Sequence, residues 1–463
     1  MYRDCEAWKA QTLPMNTSSN MACKLFDSAL TQYITWREDP TFQGFENTIS
    51  LLSKEDPEFI MGKVLTQGTS LIGNSGFLPI ATAEAASLSA LATKISNNLT
   101  QREIWHVEAI ELASKGDLPL ACDVWERILS NHPTDILAAK FAHDSYFYLG
   151  FHERMRDSVS RIIPFWNPSL PLYSNLYGML SFGLVETNYW KEAEKAAFKA
   201  LEMNKNDGWA VHSVAHSREY QNDTQGGIEF IRNTEKDWEV CNMIRPHLYW
   251  HLALYHLDNG EHEIVNDIYK KKILDRAVES KSAYDLVDAI SLILRLKLDG
   301  YKKDFAEEVK QLIEAFKSQV KNHGFLFNDL HILALLSLSG NEELKTEYVE
   351  SFNDYIGAPS NDYLRNVNRE VGPAINESLI NFQIGSFDTV AESLSASRYK
   401  WIKFGGSNAQ RDLFHQLMVD SAIKSKKKEE KIKAKAWINE RLILKTKSSL
   451  NQRYFERLVK EEK

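Results

Sequence analysis

Residues 115–133 read Lys-Gly-Asp-Leu-Pro-Leu-Ala-Cys-Asp-Val-Trp-Glu-Arg-Ile-Leu-Ser-Asn-His-Pro, and no other segment limits the fold as much. A Gly-Asp turn leads into small Ala121, aromatic Trp125, apolar Ile128 and a closing Pro133. Those offsets put a small and a large side chain one turn apart on one helix face, the signature of the second half of a helical hairpin repeated at about 34 residues. One hairpin cannot bury its own apolar face, so others of the same kind must flank it.

Extending that register organises the middle of the chain. Gly116 holds the first inter-helix turn, and 34 residues on stands Gly150. Tetratricopeptide-like repeats therefore begin near Arg102 and Ile136, then near Ser174 (anchored on Ala193, Ala197 and Ala200), Gly208 (Gly227, Ile231, Thr234) and Pro246 (Gly260). Starts are 34 or 38 residues apart, and each longer step holds a proline-bearing insertion, at Pro164 to Pro168 and at Cys241 to Pro246, where loops lengthen without disturbing stacking. The expected division is a helical segment over 1–101, five repeats over 102–279, and degenerate hairpins with charged C-terminal helices over 280–463. Thr17-Ser18-Ser19-Asn20 supplies N-cap side chains ahead of an apolar-periodic run to Trp36. Further hairpins are drawn around Gly300, Gly340 and Gly385. The expected fold class is all-α, an α-solenoid of tetratricopeptide-type hairpins.

Composition narrows the function classes. The 463 residues are too many for one compact core, yet no Pro/Gly/Ser-rich linker separates domains. A formal charge of −8 gives no general attraction to nucleic acid or anionic membrane. The most apolar stretch, around His331 to Leu338, is too short to span a bilayer. Four cysteines, with no CxxC pair among them, indicate neither a disulfide framework nor a thiolate zinc site. The expectation is a cytoplasmic protein in a reducing compartment, with no nucleic-acid or membrane partner. The Lys/Glu-rich run from Ser425 to Lys435 reads as a solvated helix, since its charges are mixed.

Longer matches add a resemblance. Asp4-Cys5-Glu6-Ala7-Trp8, Ser19-Asn20-Met21-Ala22-Cys23-Lys24-Leu25-Phe26-Asp27, His143-Asp144-Ser145-Tyr146-Phe147-Tyr148-Leu149-Gly150, Met155-Arg156-Asp157-Ser158-Val159 and Gly405-Gly406-Ser407-Asn408-Ala409-Gln410-Arg411-Asp412 resemble the tetratricopeptide repeat protein 38 family. The resemblance runs through nearly the whole length and implies a soluble, all-helical repeat protein. It carries over no catalytic residues and no substrate, and the chain departs from the family pattern most after Ser425.

Histidine carries the chemistry. His212 and His216 are spaced i, i+4, as are His247 and His251, so each pair shares a helix face. Repeats of this type line a concave groove with set positions of their first helix. By that register the four histidines converge there with Asp144, Tyr148, Glu219 and Trp250. Three readings stand: buried imidazoles bonded to carboxylates or carbonyls, capture of a protein, peptide or small ligand in the groove, and a metal site. Neighbouring helices pack about 8–10 Å apart, so two HxxxH pairs can reach one zinc ion, with Glu219 as a supporting group or general base. No HExxH, Walker A loop, GxSxG elbow or dinucleotide fingerprint is present; zinc is the one cofactor these residues suggest.

Two other features have paired readings. His143 sits where the repeat favours a small residue and is expected to be a buried, hydrogen-bonded histidine. Ser407 with Gln410 forms a capping box at a glycine turn, while free amides there, supplemented by Arg411, offer an anion-binding alternative. The expected function is an interaction module whose groove binds a partner, with Asp144, Tyr148, His212, His216, Glu219, His247, Trp250, His251 and Arg411 as ligand-binding residues. The rival is a metal-dependent enzyme or small-molecule binder using the same histidines.

Overall fold

A computed structural model describes residues 2–72 and 78–461. The remaining positions, in the expected N- and C-terminal helical segments, lie outside the described residues. Helix accounts for 79% of the chain, and the described residues contain no strand. No described helix is long and apolar enough to cross a membrane.

The chain divides into two compact units. The first comprises Met1–Ser213, Lys236–Arg245 and Asp362–Leu364; the second comprises Val214–Glu235, Pro246–Asn361 and Arg365–Lys463. The boundary at 213/214 falls inside one continuous helix, Gly208–Tyr220.

In the first unit successive helices pair as hairpins: Gln101–Ser114 with Leu118–Asn131, Ile136–Leu149 with His152–Ile162, and Tyr173–Glu186 with Trp190–Met203. Their starts follow from local chemistry. Thr100 and Glu103 form a reciprocal capping box, and the Asp135 carboxylate accepts the Ala138 N–H at 3.1 Å, each satisfying amides that a helix start leaves open. Asp135 is also held by Arg102 at 2.8 Å and His106 at 3.0 Å; burial opposes the charge, but these two partners keep its pKa well below the usual carboxylate range. The turn at Gly116 needs glycine twice over. Its φ is +86°, and a Cβ there would meet Asp362 Oδ1 at 2.5 Å.

Packing between these helices uses the small and aromatic positions of the repeat. Ala121, Trp125 and Ala193 have no exposed surface, and Trp125 meets Phe141 at a ring separation of 5.5 Å. At the N-terminus, Arg3 donates to both sides of the Asp27 carboxyl group, through its guanidinium to Oδ1 and its backbone N–H to Oδ2. That tie holds the extreme end of the chain on helix Asn20–Thr35.

The second unit runs from the later turns of Gly208–Tyr220 through Arg245–Asp258, Ala283–Leu298, Leu326–Ser339 and Glu342–Gly357 to three C-terminal helices, Asn408–Lys424, Lys428–Leu444 and Ser449–Glu461. Gly300, Gly340 and Gly385 close helices with φ of +90°, +66° and +76°, as αL caps require. The Lys/Glu-rich run opens Lys428–Leu444, which exposes most of its charges but buries Ala434 and Ile438. Ion pairs and one buried hydrogen bond bind the C-terminal helices into the unit: Arg453 makes two bonds to Asp299 at 3.0 and 2.7 Å, Arg441 is bonded to Asp412, and the buried Arg295 guanidinium donates to the Ala409 carbonyl at 2.6 Å.

Candidate functional site

The Arg245–Asp258 helix is the site's main support. Pro246 stands in its first turn, where a missing N–H costs nothing, and eleven further residues through Leu257 are all buried. His247 and His251 lie one turn apart on it. One nitrogen from each of His216, His247 and His251, all in the second unit, lies within 4.8 Å of the others. The rings of His216 and His251 are 4.3 Å apart, and those of His247 and His251 are 4.8 Å apart. His212 precedes His216 by one turn of the same unbroken helix.

The cluster is enclosed. The four histidines are exposed by 2%, 0%, 3% and 1% in chain order, so these side chains do not present the binding surface expected from repeat positions. The reason is their setting: the imidazoles pack edge to face, and Trp250, also expected on the groove, stacks on His247 at 5.2 Å and 10° with no exposed surface.

Asp288 and Ser291 on helix Ala283–Leu298 complete the support. His247 Nδ1 lies 2.6 Å from Asp288 Oδ2. The Trp250 indole N–H donates to Ser291 Oγ at 3.0 Å, and Ser291 donates to the Asp288 carbonyl at 3.0 Å. A buried carboxylate at Nδ1 fixes the ring's orientation and favours the tautomer protonated at Nδ1, the arrangement that supports metal-ligating histidines. Burial, then the neighbouring His247 and Lys445, holds the His216 pKa well below the ordinary histidine range. That direction favours the neutral imidazole, the state a metal ligand requires.

Glu219 adjoins the cluster. Its Oε2 lies 4.0 Å from His251 Nδ1, while Oε1 accepts from Lys445 Nζ at 2.5 Å. Other expected site residues sit in different surroundings. Asp144 accepts from the buried Lys140 ammonium at 2.5 and 2.6 Å and from Tyr33 OH at 2.6 Å, a cluster of the first unit in which Lys140 also faces the rings of Tyr33, Trp36 and Trp209. Tyr148, half-buried, packs its ring against Phe147.

Arg411 is corrected as an anion ligand. Its guanidinium donates to the Gly405 and Gly406 carbonyls and to Asn408 Oδ1, and the side chain is buried, because the two glycines turn their carbonyls toward it. The capping box of Ser407 and Gln410 is formed at that turn. His143 is buried, with Nε2 3.1 Å from the Met179 carbonyl.

Asp288, Ser291 and Lys445 were not singled out by repeat-position reasoning. The first two leave a trace in sequence, a carboxylate and a hydroxyl at i, i+3 within the otherwise apolar run Leu286 to Leu294. Lys445 lies 226 residues from its partner and leaves none.

The fold and this centre define the class: an all-α helical-hairpin protein with a buried histidine cluster. No family model matches the sequence. Among solved structures the chain is similar to a Rap protein complexed with competence and sporulation factor, at 11% identity and a TM-score of 0.42 over 72% of this chain and 96% of that one. It is also similar to the human IFIT1 dimer with m7Gppp-AAAA, at 12% identity and a TM-score of 0.38 over 96% and 95% of the two chains. Likeness at this level assigns no ligand to the present chain.

Proposed function

We propose that this chain is a helical-hairpin binding protein that carries a divalent metal ion of the zinc class on His212, His216, His247 and His251. The observation that supports this is the approach of the buried imidazole nitrogens of His216, His247 and His251 to within 4.8 Å of one another, with His212 one turn before His216 on the same helix. Zinc takes four ligands tetrahedrally with Zn–N of about 2.0–2.1 Å, and sites closed by four protein ligands are structural, whereas catalytic ones keep a position for water. Four ligands and near-complete burial therefore favour an ion that holds the Gly208–Tyr220 and Arg245–Asp258 helices together over a metalloenzyme.

In this reading the ion rigidifies a scaffold, and its hairpin faces bind a protein or peptide partner. The resemblance to the tetratricopeptide repeat protein 38 family supports the scaffold role. The charge of −8 favours a protein or small-ligand partner over nucleic acid, and the four free cysteines fit a cytoplasmic location.

The test is elemental analysis of tag-free protein. Wild type should retain about one zinc per chain through dialysis, and the His216→Ala/His251→Ala variant should lose it while keeping its helical circular dichroism. Wild type that takes up no stoichiometric metal on addition of zinc, cobalt or nickel contradicts the proposal and leaves the hydrogen-bonded polar core as the explanation of the cluster.

A further inference from the structure

The sequence shows four cysteines without a close-spaced pair, but folding brings two of them together. Cys5 Sγ and Cys23 Sγ are 3.3 Å apart. Cys5 opens the short helix Cys5–Ala10 and is half-buried, whereas Cys23 lies in helix Asn20–Thr35 and is buried. Several contacts fix this approach independently of the sulfurs. The Cys5 N–H donates to Asn20 Oδ1 at 3.1 Å, Arg3 is tied to Asp27, and Trp8 packs edge to face on Phe26 at 5.5 Å. The pair is thus pre-oriented, and a disulfide at about 2.05 Å needs the sulfurs to close by little more than 1 Å.

We propose that Cys5 and Cys23 form a redox modification site, at which a hydroperoxide converts the two thiols into a disulfide that staples helix Cys5–Ala10 to helix Asn20–Thr35. Accessibility sets the order of events. The half-buried Cys5, as thiolate, attacks the outer peroxide oxygen; an S–O bond forms, the O–O bond breaks, and the alkoxide or hydroxide leaving group takes up a proton. Cys23 then attacks Sγ of the Cys5 sulfenic acid; the S–S bond forms, the S–O bond breaks, and water departs with the Cys23 proton. Two thiols are oxidised and one peroxide is reduced, giving disulfide, alcohol or water, and water. Burial first, then the neighbouring Cys5, raises the Cys23 thiol above its ordinary pKa, so the second step quickens as pH rises. Cys122 and Cys241 are each buried, and Cys241 Sγ donates to the Asn206 carbonyl at 3.0 Å.

The experiment uses the full chain, reduced, then treated with a small excess of hydrogen peroxide, alkylated and digested with trypsin without reductant. Cleavage after Arg3, Lys9 and Lys24 separates Cys5 and Cys23 onto peptides 4–9 and 10–24. The expected product is these two peptides joined, about 2 Da lighter than their sum, abolished by dithiothreitol and missing from the Cys5→Ser variant. Formation should accelerate severalfold between pH 7 and pH 8.5. Cys5 that stops at sulfinic or sulfonic acid beside an alkylatable Cys23, or two cysteines that both remain alkylatable, would overturn the proposal. Unchanged circular dichroism of Cys5→Ser confirms that the comparison is between folded proteins.

Discussion

Replacing Gly183 with alanine tests the helix packing because two effects of known size oppose each other. Gly183 lies inside helix Tyr173–Glu186, where alanine is intrinsically better by about 1 kcal/mol. A Cβ there, however, would stand 2.5 Å from Arg156 Cα and 2.8 Å from Arg156 N. Those are backbone atoms of the neighbouring helix His152–Ile162, so no rotamer change relieves the clash and the two helices must separate. Overpacking of this kind costs about 1–3 kcal/mol, and separation also loosens contacts of buried Met155 and Val159. Loss exceeds gain, and Gly183→Ala should destabilise the packing of these two helices by about 1 kcal/mol. Gly357, the last residue of helix Glu342–Gly357, is the control: a Cβ there meets nothing within 4 Å, so Gly357→Ala should stabilise its helix by up to about 1 kcal/mol. Native-state hydrogen exchange reads each segment separately, and 1.4 kcal/mol is about a tenfold change in protection. Amides of 152–186 should lose several-fold protection in the first variant, and those of 342–357 should gain it in the second. Equal stabilisation by both alanines would refute the close approach.

Other perturbations test charge and titration. Lys140→Met leaves Asp144 without its ammonium and should cost about 3 kcal/mol, whereas Lys140→Met/Asp144→Leu should recover much of that; urea denaturation of the first unit checks the order. His331 is buried, with its pKa pushed down to about 4 by desolvation. Its folded pKa lies below its unfolded value of about 6.5, so the folded state binds fewer protons; stability is intact above that value and falls by about 3 kcal/mol as pH drops to 4. Chemical denaturation across pH should show His331→Leu to lack that part of the acid sensitivity. Asp288→Asn, which removes the carboxylate at His247 Nδ1, should weaken zinc binding by about 10–100-fold in competition with a chromophoric chelator while leaving the fold intact.

The helical starts were legible in sequence. Helices open at Gln101, Ile136, Tyr173, Gly208 and Arg245, each at the repeat register or one residue before it, because turn glycines, proline punctuation and alanine spacing are local signals. The i, i+4 histidine pairs were legible from the same register, and the rings of His216, His247 and His251 meet in the second unit. Their enclosure was not, since repeat positions say which way a side chain faces within its own hairpin but not what packs over it. Asp288 and Lys445 come from remote elements, and sequence reasoning has no handle on such a meeting. Arg411 showed the converse error: a glycine turn before a helix suggests an anion site, yet here the arginine itself binds the turn's carbonyls. Cys5 and Cys23 escaped notice because their proximity depends on the Arg3–Asp27 and Trp8–Phe26 contacts rather than on a short spacing.

X-ray absorption at the zinc edge on tag-free, zinc-loaded protein addresses the central claim most directly. A tetrahedral centre on His212, His216, His247 and His251 predicts four nitrogen neighbours at about 2.0–2.1 Å with the multiple scattering of imidazole rings, and loss of that signal in His216→Ala/His251→Ala. A six-coordinate shell of longer oxygen distances, or a spectrum unchanged by the double substitution, would contradict a metal centre at the histidine cluster.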